Sequence, residues 1–161
     1  MKIDRPKERL DEKAIKAWRL KGLVYTLGYV LLWVGFILFR HFVVDLPFFT
    51  ILILAIVLAL ISVVQVIVIP IIRMYYWGYE ITENDIDIQY GLIIITRSLI
   101  PMAKIQHVDT EHGPIMRFFN LATLSISTAG TVHKIPALKF DTARALRRQI
   151  SSLAALSDED V

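Results

Sequence analysis

The segment FFTILILAIVLALISVVQVIVIPII, Phe48 to Ile72, runs for 25 residues without a charged side chain. An α-helix rises about 1.5 Å per residue, so this run is long enough to cross the roughly 30 Å hydrocarbon core of a bilayer. A second uncharged segment, LVYTLGYVLLWVGFILF, covers Leu23 to Phe39. The sequence therefore predicts a two-helix transmembrane hairpin over residues 23–72, with spans at about 23–39 and 48–72.

A cleaved signal peptide is the alternative for the first span. The uncharged run exceeds the apolar region of about 7–15 residues that signal peptides carry, and it begins late in the chain. No small-residue cleavage motif follows it in Arg40–Pro47. These features favour a retained membrane helix.

Charge predicts the orientation of the hairpin. Eight basic residues precede Gly22, whereas the connector Arg40–Pro47 holds one. Basic segments stay in the cytoplasm, so both termini of a multi-pass protein are expected there. Six residues at the cytoplasmic ends of the spans are expected at the membrane interface: Trp18, Arg19, Lys21, Arg73, Tyr76 and Trp77.

Residues 1–22 are predicted to form a basic arm that meets anionic headgroups. Leu10, Ala14 and Trp18 recur every four residues, which fits a short helix on the interface, but a disordered arm fits as well. The overall isoelectric point near 9.2 reflects this arm. Residues 73–161 carry 9 basic and 10 acidic groups, so no nucleic-acid partner is expected.

Small residues within the spans predict how the helices pack. Gly28 and Gly35 share one face of the first span, and Ala55, Ala59 and Ser62 form a stripe on the second. Small residues let helices approach closely in lipid, so we expect the two spans to pack against each other through them, with an oligomer interface as the alternative.

Polar groups inside the spans are sparse. Gln65 and Pro70 are the only hints of a transport function, because no ionisable residue lies deep in either span. A transport component is therefore the weakest of the interpretations.

From Tyr76 onward the apolar period changes from helical to two, which predicts a separate domain over residues 76–157. In DIDIQYG, Asp85–Gly91, apolar residues alternate with polar ones, as on a sheet with one buried and one solvated face. A final amphipathic helix begins near Asp141 or Thr142, with Leu146, Ile150 and Leu153 on its apolar side. Other strands are predicted in Tyr75–Thr82, Ile93–Ile100, Ile105–Thr110, Ala122–Thr128 and Thr131–Pro136. The predicted fold class is a membrane α-helical hairpin plus an α+β domain, an antiparallel β-roll of six to seven strands capped by a C-terminal helix.

The segment PMAKIQHVDTEHGPIMRFFNLATLSISTAG, followed by IPAL and the helix, resembles the bacterial pleckstrin-homology-like (PH-like) domain of the YdbS-like membrane proteins, a domain of unknown function. Asn120 departs from the family pattern, which tends to have glycine there, but asparagine tolerates a left-handed backbone. The resemblance implies a PH-like fold in a bacterial cytoplasmic membrane protein. It covers roughly residues 76–156 and rests on Pro101, Ile105, Gln106, Val108, Gly113, Pro114, Arg117, Phe119, Asn120, Leu121, Thr128, Ala129, Gly130, Ile135 and Pro136.

The sequence pattern favours neither a catalytic site nor a metal site. His107 and Asp109 share a strand face, and only His112, Glu111 and His133 could add further ligands. A zinc site needs three or four side chains that converge on the ion, and these residues do not supply such a set. Ser98, His107 and Asp109 show no nucleophile elbow, and the strand carboxylates Asp85 and Asp87 have no pocket that would separate their pKa values. No glycine-rich phosphate loop is present, so we expect no enzyme and no cofactor.

The sequence predicts a non-catalytic scaffold or accessory subunit of a membrane complex. Membrane lipids and a homo- or hetero-oligomer with a related PH-like membrane protein are the expected partners, and an extended peptide along the strand edge beside the C-terminal helix is one expected binding mode. A basic cluster, Lys134, Lys139, Arg144, Arg147 and Arg148, suits solvent, an anionic bilayer or an acidic partner. The alternative function is engagement of lipid or of a membrane-active peptide in envelope stress defence. The turn TENDID, Thr82–Asp87, disfavours phosphoinositide recognition because it is acidic.

Overall fold

The computed structural model describes residues 6–43, 47–92 and 94–159. The predictions that concern Lys2, Arg5 and residues 44–46 of the connector therefore lie outside the described residues. The chain forms two compact units. One unit is Trp18–Ile71, and the other joins the residues before Trp18 to those from Ile72 onward.

The hairpin unit consists of long apolar helices. Helix α1 spans Lys13–Val43, helix α2 spans Phe48–Val63, and a π-helical turn, Val64–Val68, leads into helix α3, Ile69–Tyr76. Two helical stretches, Lys13–Arg40 and Phe48–Tyr76, are long and apolar enough to cross a membrane, at 28 and 29 residues. Both extend beyond the predicted spans, because no proline interrupts the polar residues before the first apolar run or after the second.

Within the hairpin, close approach occurs at Gly22. A Cβ atom at Gly22 would lie 3.1 Å from Val66 Cγ2 and 3.2 Å from the Gln65 carbonyl oxygen. A Cβ atom at Gly28 or Gly35 would meet open space. The spans do pack against each other, but the expected contact through Gly28 and Gly35 is wrong, because the glycine at the close approach is Gly22, nearer the α1 N-terminus.

Gln65 lies in the π-helical turn and donates from Nε2 to the Tyr29 hydroxyl at 3.2 Å. The turn ends at Val68, and helix α3 begins at Ile69 with the buried Pro70 as its second residue. Proline removes one backbone donor, and a π-turn immediately upstream is a common way for a helix to absorb such a defect. The helix is therefore widened locally just before Pro70.

The second unit contains two three-stranded antiparallel sheets. The first sheet has the order β1-β2-β3, with β1 at Gly78–Ile81, β2 at Asp85–Gly91 and β3 at Ile95–Pro101. The second has the order β4-β5-β6, with β4 at Ile105–Glu111, β5 at Leu121–Thr128 and β6 at Val132–Lys139. A 3-10 turn, Met102–Lys104, links the sheets, helix α4 spans Pro114–Phe118, and the C-terminal helix α5 spans Phe140–Glu159. This is the predicted PH-like arrangement, with six strands.

Several boundaries differ from the sequence prediction. The strand expected from Tyr75 begins only at Gly78, because α3 continues through Tyr76. The sequence did not predict helix α4, which has Pro114 in its first turn, where a missing N–H costs no hydrogen bond. Helix α5 begins one residue before Asp141.

The core of this unit follows the predicted alternation on one face of each strand. Ile86, Ile88, Leu124, Ile126 and Ile150 are all nearly inaccessible to solvent. The opposite face of β2 is not solvated as expected, however, since Asp87 is 7% exposed and Gln89 is 5% exposed. The Asp87 carboxylate is paired with Arg97 of β3, whose Nε donates to Oδ2 at 2.8 Å.

The N-terminal residues pack on the PH-like unit. Glu8 and Tyr79 exchange two backbone hydrogen bonds of 3.1 Å, so residues around Glu8 add a short bridge to the edge of β1. The Lys7 ammonium lies 2.9 Å from a Glu80 carboxylate oxygen, and Pro6 and Leu10 are buried. Residues 1–22 were expected to form a separate arm; the structure instead places residues 6–17 in the same unit as the strands.

Candidate functional site: the groove between β4 and α5

Strand β4 is an edge strand. It pairs with β5 on one side, and none of the described residues pairs with its other side. The register shifts between Ile105 and His107, so Gln106 forms a bulge. An edge strand presents a row of unpaired backbone donors and acceptors, to which an extended peptide can add as a further strand.

Helix α5 forms the second wall of a groove along this edge. The groove has a volume of about 580 Å³, within the roughly 300–1,000 Å³ typical of binding pockets. The helix contributes the small side chains Ser151, Ala154 and Ala155 opposite β4, and these leave room between helix and strand. Its full lining is Ile105, Gln106, His107, Val108, Arg147, Arg148, Ser151, Ala154 and Ala155. We call this space the β4–α5 groove.

The charges at the β4–α5 groove are mixed but favour an acidic ligand. Arg147 and Arg148 are exposed on its helical wall. On the strand wall, His107 Nε2 lies 3.0 Å from an Asp109 carboxylate oxygen. Guanidinium groups form strong paired hydrogen bonds with carboxylates, so a segment that carries Asp or Glu would gain most from this wall.

Asn120 fixes the start of α5. Its backbone has φ 55°, in the left-handed region, and its N–H donates to the Arg117 carbonyl at 3.0 Å. Its own carbonyl accepts from the N–H of Phe140, the first residue of α5, at 3.1 Å. The His112 ring meets the Phe140 ring edge to face, with centroids 5.3 Å apart. The tight turn at Asn120 thereby sets where the helical wall of the groove begins.

A bulge in β6 accompanies this arrangement. Ala122 pairs with Leu138 and Leu124 pairs with Ile135, so Pro136 and Ala137 together oppose one residue of β5. Proline cannot donate to the ladder, and a bulge relieves β6 of that bond. Ala137 has φ 55°, and its carbonyl accepts a 3.4 Å hydrogen bond from the Asp11 N–H. The bulge therefore gives the N-terminal segment a second backbone attachment.

The residues that carry the family resemblance fall into three groups. The first lies on the wall of the β4–α5 groove: Ile105, Gln106 and Val108. The second surrounds α4 and the turn before β5: Gly113, Pro114, Arg117, Phe119, Asn120 and Leu121. The third lies at the end of β3, in the β5–β6 hairpin and in the middle of β6: Pro101, Thr128, Ala129, Gly130, Ile135 and Pro136. In the β5–β6 hairpin the Thr128 hydroxyl donates to the Thr131 carbonyl at 3.0 Å, so these residues shape the fold as well as the groove.

The residues predicted at the membrane interface differ in exposure. Arg19, Lys21 and Arg73 are exposed, and Tyr76 is half-buried. Trp18 and Trp77 are buried within the protein, at 7% and 8% exposure. Trp77 stacks on Tyr90 of β2, so this tryptophan contributes to packing as well as lying at the end of the membrane helix.

The polar side chains considered for catalysis have structural partners. Asp85 accepts from the Thr82 hydroxyl at 2.7 Å in the β1–β2 turn, and Asp87 pairs with Arg97. Glu111 forms an ion pair with Lys134 at 2.8 Å across the second sheet. Among the described residues, no group of three or more His, Cys, Asp or Glu side chains is placed to hold a metal ion.

Sequence reasoning missed the position of Arg147 and Arg148 in the groove. The sequence places both only in a basic cluster of the chain. The period places them away from the apolar stripe, but it does not reveal that an edge strand lies beside them.

Comparison with known proteins gives two matches to this architecture. The family model described as Bacterial PH domain matches residues 22–154. The transmembrane protein YdbS of Bacillus subtilis (strain 168) is 39% identical over 158 residues, which is 98% of this chain and 99% of that protein. No solved structure matches the chain.

Proposed function

This chain belongs to the bacterial PH domain family of membrane proteins, and from that premise we propose that it is a non-catalytic scaffold or accessory subunit of a membrane complex. Its work would be to hold a PH-like domain at the bilayer and to bind a second protein there. The family is not a known enzyme family. The observation that carries the proposal is the edge of β4, which has no partner strand in the described part of the chain, beside the basic wall of α5.

The proposed binding mode is strand addition. A partner segment would pair with the free edge of β4 and set alternate side chains into the β4–α5 groove. The apolar lining from Ile105 and Val108 would hold one face of the segment, while Arg147 and Arg148 would pair with its carboxylates. The partner would be a second copy of this chain or a related PH-like membrane protein.

The proposed topology has two membrane spans and both termini in the cytoplasm. The basic residues before Gly22 support this orientation, because the connector between the spans holds only Arg40. The PH-like unit would then face the cytoplasm. The alternative of anionic headgroup recognition at the β1–β2 turn finds no support there, since Glu83 and Asp85 would repel a phosphate.

Site-specific photocrosslinking in native membranes tests this function. A photoreactive residue at Gln106 or Ser151, on either wall of the groove, should yield a discrete crosslinked protein that mass spectrometry identifies. The double variant Arg147→Glu, Arg148→Glu should abolish the crosslinked product, because the two introduced carboxylates repel an acidic segment. Arg144→Glu is the matched control, since Arg144 is an exposed arginine of the same helix outside the groove lining, and it should leave the product intact. Recovery of the monomer alone from both positions would contradict the proposal.

A further inference from the structure

The β2–β3 hairpin carries an exposed apolar tip. Leu92 is 43% exposed, Ile94 is 80% exposed and Ile95 is 42% exposed. The sequence from Tyr90 to Thr96 contains no charged residue. Runs of exposed apolar residues are unfavourable in water and usually mark a surface that contacts something else.

The strand register places this tip beside the end of the membrane helix. Helix α3 ends at Tyr76 and β1 begins at Gly78, so only Trp77 separates the two. Gly78 pairs with Gln89, which means that β2 returns to the point where the chain leaves the helix. The Trp77 ring stacks on Tyr90, with centroids 5.7 Å apart. Tyr90 and the tip that follows it are therefore at the same end of the sheet as the helix terminus.

At this end of the sheet, the β2–β3 ladder extends beyond the first residue of β1. The ladder between β2 and β3 continues from Gln89 to the Gly91–Ile95 pair, two residues beyond the last β1 partner. At about 3.3 Å per residue, Leu92 and Ile94 lie roughly 10 Å beyond Gly78 along the strand. An apolar group at the end of a membrane helix needs only about 5–10 Å of depth to reach the boundary between headgroups and acyl chains.

Gly91 and Ile94 approach each other closely at the end of the hairpin. Gly91 has φ 149°, and a Cβ atom there would lie 2.0 Å from the Ile94 carbonyl oxygen. Only glycine permits this close approach. The nearest charged side chain on β3, Arg97, is paired with Asp87. The apolar side chains thus project from a tight turn whose flanking charge is already satisfied.

From these relationships we propose that the β2–β3 hairpin tip, through Leu92, Ile94 and Ile95, inserts into the lipid bilayer as a third membrane contact beside the two spans. The ligand is the acyl region of the bilayer and not a particular headgroup. The inference is independent of the β4–α5 groove, because it involves the other sheet. Its consequence is that the PH-like unit is held at two points, the helix terminus and the hairpin tip.

Fluorescence in reconstituted vesicles tests the insertion. The chain contains no cysteine, so single-cysteine variants of the full-length protein can be labelled with an environment-sensitive dye. Ile94→Cys reports on the tip, and Asn84→Cys, in the exposed turn at the opposite end of the same sheet, is the matched control. The vesicles contain phosphatidylethanolamine and phosphatidylglycerol, with or without bromine atoms on the acyl chains near the headgroup.

At position 94 we expect blue-shifted emission that falls by about half in brominated vesicles, since the tip would lie at interfacial depth. Salt should not change this result, because apolar insertion is not screened. The dye at position 84 should remain red-shifted and insensitive to bromine. Emission at position 94 that matches position 84 would overturn the proposal. A blue shift without bromine quenching would also overturn it, since the tip would then be covered by protein, such as a second copy.

Discussion

Trp77, the residue that joins the membrane helix to the first strand, stacks on Tyr90 with ring centroids 5.7 Å apart and planes inclined by 26°. Trp77 is 8% exposed, whereas Tyr90 keeps part of its ring accessible. The contact connects the end of α3 to the far end of β2, although the two residues are separated by β1 and a turn. It packs the residue that follows α3 against the end of β2.

A double-mutant cycle should measure this stack. Trp77→Leu and Tyr90→Leu each remove one ring, and the double variant removes both. An aromatic pair contributes about 0.5–1.5 kcal/mol beyond area burial, so the free energies of unfolding should show a coupling of about 1 kcal/mol. Denaturant unfolding of the purified protein in detergent provides the values. Additive effects would mean that the rings touch without stabilising each other.

Removing one partner of the Asp87–Arg97 pair should destabilise the protein more than removing both. Arg97→Leu leaves a carboxylate that is 7% exposed without its partner, and we expect a loss of about 1–3 kcal/mol in the free energy of unfolding. Asp87→Leu combined with Arg97→Leu should recover part of this loss, because no buried charge remains. Thermal unfolding of the single and double variants compares them. A double variant less stable than Arg97→Leu would contradict the assignment.

Asn120 should tolerate glycine better than alanine. Alanine at φ 55° costs about 1–2 kcal/mol, whereas glycine adopts this conformation freely. We expect Asn120→Ala to lower the unfolding temperature and Asn120→Gly to leave it unchanged or raise it. Asn84→Ala is the control at an exposed asparagine without a positive φ, and its effect should be small. Equal losses for both substitutions at position 120 would show that its side chain matters more than its backbone.

Tyr79 should make the PH-like unit sensitive to alkali. Burial, and then the nearby Glu8 charge, raise the pKa of the Tyr79 phenol to about 12. A raised pKa favours the neutral form in the folded state, so this stabilisation is complete below the unfolded pKa of about 10 and is lost as pH rises toward 12. Unfolding temperatures measured from pH 9 to 12 should fall less steeply for Tyr79→Phe than for the wild type. If the unfolding temperatures of the two proteins fell in parallel, ionisation of Tyr79 would not be the cause of the alkaline loss of stability.

The sequence predicted the elements of this fold well because strong periodic signals specify them. The uncharged runs predicted the two apolar helices, and the alternation in Asp85–Gly91 predicted a strand with Ile86 and Ile88 in the core. The apolar stripe of the last helix predicted its buried side, where Ile150 is inaccessible. These signals are local, so they do not depend on which element lies next to which.

What escaped prediction depends on distant partners. The burial of Asp87 requires Arg97 on the neighbouring strand, and the docking of Glu8 requires the edge of β1, about 70 residues away in the sequence. The β4–α5 groove requires the three-dimensional placement of a strand edge against a helix. For the candidate site, the resemblance indicated Ile105, Gln106 and Val108, but no sequence pattern indicated that Arg147 and Arg148 face them.

The proposed topology requires the PH-like unit to lie in the cytoplasm. Asn84→Cys, in an exposed turn of that unit, can be labelled with a membrane-impermeant maleimide in intact spheroplasts and in inverted membrane vesicles. We predict labelling in the inverted vesicles alone, and the reverse for Phe48→Cys at the start of α2. Labelling of position 84 in intact spheroplasts would place the unit outside the cell and contradict the account.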